Sequence, residues 1–379
     1  MIKNFKLISG GTITSPLGFT AAALAAGIKQ SGKPDLALIF SEVPAVAAGV
    51  FTTNQFRAAP VIVSQKQLKS GLFCQAIISN AGNANCGTGK QGLRDAWAMV
   101  NETAKVLGID PGYVLVTSTG SIGQYLPVKK ILPAIRQLSF KLSKDGGRLA
   151  ARAIMTTDTR PKEIAVKVGG CTVAGVAKGS GMIHPNLATM HAFITTDVII
   201  SRALLQTFLK RAVDNSFNMT TVDQCQSTND CVFALANGQS NIKLQTSKSK
   251  NKFYGALEEV CVYLAKEIAR DGEGATQLIE VRVSGARNES EARIAARAIA
   301  GSDLLKCAVY GRDHNTGRIL AAAGATSAKL DQDRMKADMK FGRRETLVTC
   351  DLGVGRAKAV AWGCDLTEGY IKINAEYHT

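Results

Sequence analysis

Lys178 to Asp197 reads KGSGMIHPNLATMHAFITTD, and the interpretation of the chain turns on it. Gly179, Ser180 and Gly181 form a small-residue loop, Pro185 follows, and Met190 to Asp197 read as a buried strand. Just upstream, Glu163–Val168 and Cys171–Ala177 are two further strand-like runs joined by Gly169-Gly170, a hairpin signal. The Ala188-Thr189 bond therefore lies between a tight turn and a core strand, where a chain is placed to cut itself. Cleavage would leave Thr189 as a new N-terminus, with a hydroxyl nucleophile beside a free amine. An α-amine has a pKa of roughly 7.7–8.0, so enough of it is neutral near pH 7 to take the hydroxyl proton. Gly179 and Gly181 permit the strained backbone that an N-to-O acyl shift requires. Ala-Thr pairs are also common in purely structural roles, and the residues alone leave both readings open.

Strand-like runs continue on the N-terminal side at Asp35–Phe40, Ala59–Ser64, Gln75–Asn80 and Tyr113–Val116. Between the last two, Leu93, Trp97, Val100, Ala104 and Leu107 recur at helical spacing, with Gly108 as the stop. On the C-terminal side Ser201 caps a helix carrying Leu205, Phe208, Leu209 and Ala212 on one face. Residues 244–252 (LQTSKSKNK) read as a solvated loop, followed by a helix over about Ala256–Arg270. Residues 278–311 read as strand, helix and strand (LIEVRV, SEARIAARAIA, LLKCAVYG), so a separate C-terminal α/β unit is expected from about residue 280. The class is α/β, with sheets covered by helices.

At 379 residues, 46% hydrophobic and 20% charged, the chain has the composition of a globular enzyme of two or three cores. No apolar run reaches the roughly 18 residues of a membrane helix, and the N-terminus lacks a signal-type apolar segment. A cytoplasmic protein without membrane association is therefore expected. Nine cysteines are scattered with no CxxC pair, which points to reduced thiols and away from disulfides or zinc. The net charge of +16 comes with no long basic run and only 6% aromatics. That pattern argues against nucleic acid and fits a basic field that draws in small anions.

Three other constellations compete for attention. Gly87-Thr88-Gly89-Lys90-Gln91-Gly92 is a literal GxGxxG ahead of a helix, which would suit a dinucleotide-binding oxidoreductase. Six residues separate it from the Gln75–Asn80 strand, however, and Asp110 precedes the next strand where a ribose-binding acid should end it. Only His184, His191, His314 and His378 are available for a histidine-based triad, and no two have metal-ligand spacing. His184 and His191 flank Thr189 as alternative bases. Thr117-Ser118-Thr119-Gly120, directly after the Tyr113–Val116 strand, is a plausible cradle for an oxyanion, or a simple strand-to-turn junction.

Over essentially its full length the chain resembles the glutamate N-acetyltransferase / ornithine acetyltransferase (ArgJ) family of arginine biosynthesis. The matching stretches, in order, are GVFTTN (49–54), NAGNAN (80–85), TSTGSIG (117–123), IMTTDTRPK (154–162) and KGSGMIHPNLATM (178–190). They continue with AFITTD (192–197), STND (227–230), RDGEGAT (270–276), YGRD (310–313) and GCDLTEGYIKINAEYHT (363–379). The resemblance implies a DmpA/ArgJ-like αββα sandwich with a smaller C-terminal α/β domain. It implies self-cleavage at Ala188-Thr189 into an α chain (1–188) and a β chain (189–379). Residues 189–280 would complete the main core, and 281–379 would form the C-terminal domain, whose tail returns to the active site. The two chains would remain together as αβ pairs that assemble further.

The same resemblance implies a ping-pong reaction in which Thr189 takes the acetyl group of N2-acetylornithine and passes it to glutamate. Thr119 and Gly120 would hold the oxyanion, and Thr156, Lys178, Thr189, Glu273, Asn374 and Thr379 would contact substrate. No metal or other cofactor is expected, although a bifunctional version would also use acetyl-CoA as co-substrate. Lys178 suits a carboxylate and Glu273 an ammonium, the two charges that acetylornithine carries. The chain departs from the family pattern at Gln224-Cys225-Gln226, at Thr316 and at His191, where leucine is common. The rival reading is an aminopeptidase or amidase of the same fold, with water as the acyl acceptor.

Overall fold

The computed structural model describes residues 5–71, 73–184 and 190–376, so Ala188, Thr189, His378 and Thr379 lie outside the described residues. The first half of the chain runs β1 (Lys6–Leu7), β2 (Phe19–Leu24), β3 (Leu36–Phe51), α1 (Ala59–Ser70), β4 (Phe73–Asn83), α2 (Gly89–Leu107) and β5 (Val114–Ser121). It continues with α3 (Val128–Ser139), α4 (Gly147–Ala153), β6 (Lys162–Val168) and β7 (Cys171–Lys178). Beyond the opening stretch come β8 (His191–Thr196), α5 (Arg202–Asp214), β9 (Cys231–Ala236) and α6 (Ser247–Arg270). The rest is β10 (Leu278–Ala286), α7 (Glu289–Gly301), α8 (Asp303–Tyr310), α9 (Thr316–Gly324), β11 (Lys336–Phe341), β12 (Glu345–Asp351), β13 (Ala357–Cys364) and α10 (Glu368–Glu376).

The long strand β3 makes the sandwich. Its first half pairs with β2 and β4, and its second half, Val46 to Phe51, pairs with β9. The β3–β4 register breaks between Phe40 and Ala45, around Pro44, where the strand passes from one layer to the other. One layer is thus β2, β3, β4 and β5, and the other runs β1-β6-β7-β8-β9 onto the far half of β3.

Strand alternation then sorts the apolar residues into three cores. Phe19, Ile39, Ile77 and Leu115 from the first layer meet Val176, Phe193 and Phe233 from the second, in the space between the sheets. Their neighbours Leu38, Ile78 and Val116 point outward onto Val63 of α1, Met99 and Val100 of α2, and Ile131 and Ile135 of α3. On the opposite side Val166, Val173, Ile194 and Val232 pack against Leu205 and Leu209 of α5 and Leu257, Leu264 and Ile268 of α6. The layer order is α-β-β-α, the fold class expected. Interleaved burial dominates the energetics: truncating a buried phenylalanine such as Phe193 costs about 3–5 kcal/mol. A surface ion pair such as Arg136–Glu102, whose arginine lies in solvent, adds little beside it.

A second sheet, ordered β11-β12-β10-β13, carries α7, α8 and α9 over a core that includes Val281, Val283, Ile299, Val309, Ile319 and Val348. Among the described residues no helix is long and apolar enough to cross a membrane.

Three sequence expectations are corrected. Ala59–Ser64 is helical, the first half of α1, because Pro60 sits in the first turn where its missing N–H costs nothing and the polar QKQLKS run extends the helix. LLKCAVYG is α8, started by the Ser302 hydroxyl accepting from the Leu305 N–H. Residues 247–252 of the expected loop form the first turns of α6, nucleated by a capping box between Thr246 and Ser249. In each case a short apolar or charged run lacked the length to show its period.

Candidate active site

β5, the edge strand of the first layer, carries Thr117-Ser118-Thr119-Gly120 in its second half. Alternation from Leu115 places Thr117 and Thr119 on the inner face, and Thr117 donates to Ser79 Oγ at 2.8 Å. Gly120 has φ +133°, and a Cβ there would lie 2.3 Å from the backbone carbon of Gly82 on the neighbouring strand, so only glycine fits. Lys178, two residues beyond the inward-facing Val176, closes β7 on the same inner face. Its Nζ donates to Thr119 Oγ1 at 3.3 Å although the side chain is buried. Burial pushes the Lys178 ammonium below its usual pKa, with Asp158, Asp230 and Glu273 acting the other way.

These residues face a cavity of about 340 Å³ lined by Thr119, Gly120, Thr156, Lys178, Glu273 and Asn374, among others. All six described residues assigned to the site from sequence therefore come together. They arrive from five segments: β5, the turn before β6, β7, the loop after α6, and α10. Glu273 packs so closely on Gly181 that a Cβ at 181 would be 2.4 Å from its carboxyl. Asn374 Nδ2 donates to Glu273 Oε2 at 2.9 Å, which brings the C-terminal helix over the cavity. Thr189 and Thr379 are outside the described residues; Met190, bonded to Thr189, is buried, and its N–H donates to Asp230 Oδ1 at 2.7 Å.

An ionic cluster not expected from the sequence lies next to the cavity lining. Lys162 Nζ donates to Asp158 Oδ1 and Asp271 Oδ2, both at 2.6 Å, and the Lys162 and Asp158 side chains are fully enclosed. Asp158 also accepts from the Thr156 N–H at 3.0 Å and the Gly179 N–H at 2.7 Å. Asp271 accepts from the Thr159 N–H at 3.1 Å, and its backbone carbonyl accepts from Ser180 Oγ at 2.6 Å. Ser180 O in turn accepts the Glu273 N–H at 2.9 Å. One cluster therefore ties down Thr156, the start of the Gly179–Gly181 loop and Glu273. The signal available was two runs, DTRPK and RDGEG, rich in charge where the chain enters or leaves a core element.

The two histidines flanking Thr189 differ in setting. His184 is partly buried, and its Nδ1 has no partner among the described residues. His191 is buried on β8 opposite Lys178, with Nε2 3.2 Å from Asn229 O and Nδ1 without a partner among the described residues. Burial first, and the Lys178 charge second, hold its pKa down to about 3, so it is neutral near pH 7. A folded-state pKa below the unfolded value of about 6.5 makes stability fall as pH drops from about 6.5 towards 3, by up to about 1.4 kcal/mol per unit. His191→Leu is expected to flatten that slope, as measured by urea unfolding at pH 7, 6 and 5.

The remaining sequence candidates fall outside the cavity lining. β4 extends to Asn83, so only Ala84–Cys86 separate it from Gly87, and Asp110 accepts from the Gly112 N–H as the cap of a short turn. Gln224-Cys225-Gln226 forms a left-handed turn after Asp223, with Gln224 at φ +60°. The Asp223 carboxyl, just before the turn, accepts from Met182 N, from Ile183 N at 2.9 Å and from Cys225 N at 3.1 Å. Thr316 opens α9.

Fold and cavity together define an αββα-sandwich protein with its site between the two sheets. Within that class the chain belongs to the ArgJ family, whose model matches residues 20–342 and 327–379. It is 48% identical to the arginine biosynthesis bifunctional protein ArgJ of Symbiobacterium thermophilum, over 97% of this chain and 99% of the relative. It is 47% identical to the ArgJ protein of Dehalococcoides mccartyi over the full length of both. Among solved structures, the ornithine acetyltransferase of Mycobacterium tuberculosis complexed with ornithine is 42% identical, covering 48% of this chain and 100% of that one with a TM-score of 0.46.

Proposed function

We propose that the chain is an acetyltransferase of arginine biosynthesis that moves the acetyl group of N2-acetylornithine to glutamate through an acetyl-threonine at Thr189. The observation that carries the reading is the pairing of Lys178 and Glu273, opposite in charge, around one cavity that also receives Thr119 and Gly120. Family membership points the same way, since the relatives' names place them in arginine biosynthesis.

The sequence of events starts with the precursor. Thr189 Oγ attacks the Ala188 carbonyl, the C–N bond breaks, and the hydroxyl proton ends on the new α-amine. Water then hydrolyses the resulting ester, freeing the Ala188 carboxylate and the Thr189 hydroxyl. In the transfer cycle the α-amine takes the hydroxyl proton as Oγ attacks the acetyl carbonyl. Negative charge collects on the carbonyl oxygen, facing the Thr119 hydroxyl and the Gly120 backbone. Collapse expels ornithine, whose leaving nitrogen takes the proton. Glutamate reverses the steps with its own amine and leaves as N-acetylglutamate. Lys178 receives the substrate α-carboxylate, Glu273 the side-chain ammonium of ornithine, and Thr156, Asn374 and Thr379 complete the enclosure.

No metal or other cofactor enters these steps. A bifunctional enzyme, as the relatives are named, would load the same threonine from acetyl-CoA. The cut products would stay together as an αβ pair: β8 from the second segment lies between β7 of the first and β9, and β9 pairs with β3 of the first. We place the enzyme in the cytoplasm, with 281–379 as its C-terminal domain. With purified enzyme and N2-acetylornithine, sustained ornithine release is expected only when glutamate is present. Equal release without glutamate would make it an amidase instead.

A further inference from the structure

The turn Ser227-Thr228-Asn229-Asp230 has no role in the steps above, yet its side chains reach both halves of the site. The Asp230 carboxyl, with no exposed surface, accepts from the Met190 N–H at 2.7 Å, on the residue immediately after Thr189. Cys231 N donates to Met190 O at 3.3 Å, so both backbone groups of Met190 are held by two consecutive residues. Asn229 is 4% exposed and lines the cavity. Its Nδ2 donates to Ser118 O and to Ala84 O, both at 2.7 Å, and Ser118 is the residue immediately before Thr119. Thr228 Oγ1 donates to Asn229 Oδ1 at 2.5 Å, which fixes the amide orientation. The turn is itself anchored to the end of β3, through Thr52 Oγ1 to Ser227 O at 2.8 Å and Thr52 N to Asp230 O at 3.0 Å.

We propose that Asn229 and Asp230 are positioning residues that set the separation between the acetyl-carrying Thr189 and the oxyanion donors at Thr119 and Gly120. The two elements they join, β8 and β5, belong to different layers of the sandwich and are not hydrogen-bonded to each other. Sheet pairing alone therefore does not fix their spacing; beside the Lys178–Thr119 hydrogen bond, the adjacent side chains 229 and 230 tie the two elements together. This rests on the reading of Thr189 as nucleophile and of Thr119 with Gly120 as oxyanion site.

The role has a kinetic signature. Both half-reactions, acetylation by N2-acetylornithine and deacetylation by glutamate, pass through a tetrahedral oxyanion on the same oxygen. A spacing error slows both equally, whereas a lost substrate contact slows one. Loss of folded sites lowers only the amount of acetyl-enzyme formed.

The test is rapid-quench kinetics on the processed enzyme, with amplitudes normalised to the cleaved fraction. Asn229→Asp keeps the side-chain size and removes both donors. It is expected to slow both half-reactions by about 100-fold, with KM and amplitude close to wild type. Asp230→Ala should slow both similarly, and Asp230→Asn, which retains an oxygen for the Met190 N–H, should recover to within about tenfold of wild type. If Asn229→Asp does not fold, the two Asp230 variants decide. Rate constants near wild type, a loss confined to one half-reaction or to amplitude, or Asp230→Asn as slow as Asp230→Ala would each overturn the proposal. Wild-type enzyme that forms no acetyl-Thr189 would instead overturn the reading on which it rests.

Discussion

Thr189→Ala is expected to remain a single chain on a denaturing gel, to bind substrate, and to transfer acetyl groups at least about 10⁴-fold more slowly than wild type. The substitution removes the atom proposed to break the Ala188-Thr189 bond and to carry the acetyl group, and with no cut the α-amine is never released. Stability should hardly change. β8 begins at His191, its neighbours β7 and β9 pair with it from His191 onward, and Met190 is held through its backbone by Asp230 and Cys231. An uncut variant that still turned over would separate transfer from cleavage, and a variant that was cut would assign cleavage to another group.

Lys162→Met is expected to be the most damaging change away from the proposed nucleophile. Asp158 and Asp271 share this one enclosed ammonium, and its removal leaves two buried carboxylates without a cation bonded to them. Breaking a buried pair costs about 3–5 kcal/mol, here a fall in melting temperature on the order of 10 °C. Activity should fall further than stability, because the same carboxylates hold Thr156, Gly179 and, through Ser180, Glu273. The cluster also predicts acid sensitivity. Burial pushes the Asp158 carboxyl up, but Lys162 and Lys178 outweigh it and hold the pKa well below the usual carboxylate range. A depressed folded-state pKa contributes stability above the unfolded value of about 3.9 and loses it as pH falls below that. Wild type should therefore lose stability steeply below about pH 4, with a weaker drop in Lys162→Met. Calorimetry across pH 3–7 on both proteins checks the pair of expectations.

Where periodicity ran long enough, the fold was readable. The stripe from Leu93 to Leu107 is α2, ended by Gly108 in a left-handed conformation at φ +67°. Gly169 and Gly170, both at positive φ, join β6 to β7 as their pairing in the sequence suggested. Eight- or twelve-residue helices such as α8 and α1 were misread because their apolar runs are as short as strands. The passage of β3 between layers was invisible for a different reason: it depends on pairing with β9, far along the chain.

The cavity divides in the same way. Thr119-Gly120 carried a local sign, hydroxyl and glycine at a strand end. Glu273 and Asn374 carried none and were placed through resemblance alone. The Asp158–Lys162–Asp271 cluster was unreadable because its third member is 109 residues away from Lys162. Asn229 and Asp230 lay inside a matching stretch, STND, but their role exists only through what they touch on two other strands.

Thr189 is proposed both to become an N-terminal residue and to carry the acetyl group. Incubating purified wild-type enzyme with N2-acetylornithine, without glutamate, and measuring intact masses tests it directly. Two chains are expected, 1–188 and 189–379, with the mass of one acetyl group added to the second and localised to Thr189, and removed again by glutamate. A single active chain, or an acetyl group found on any other residue, would contradict it.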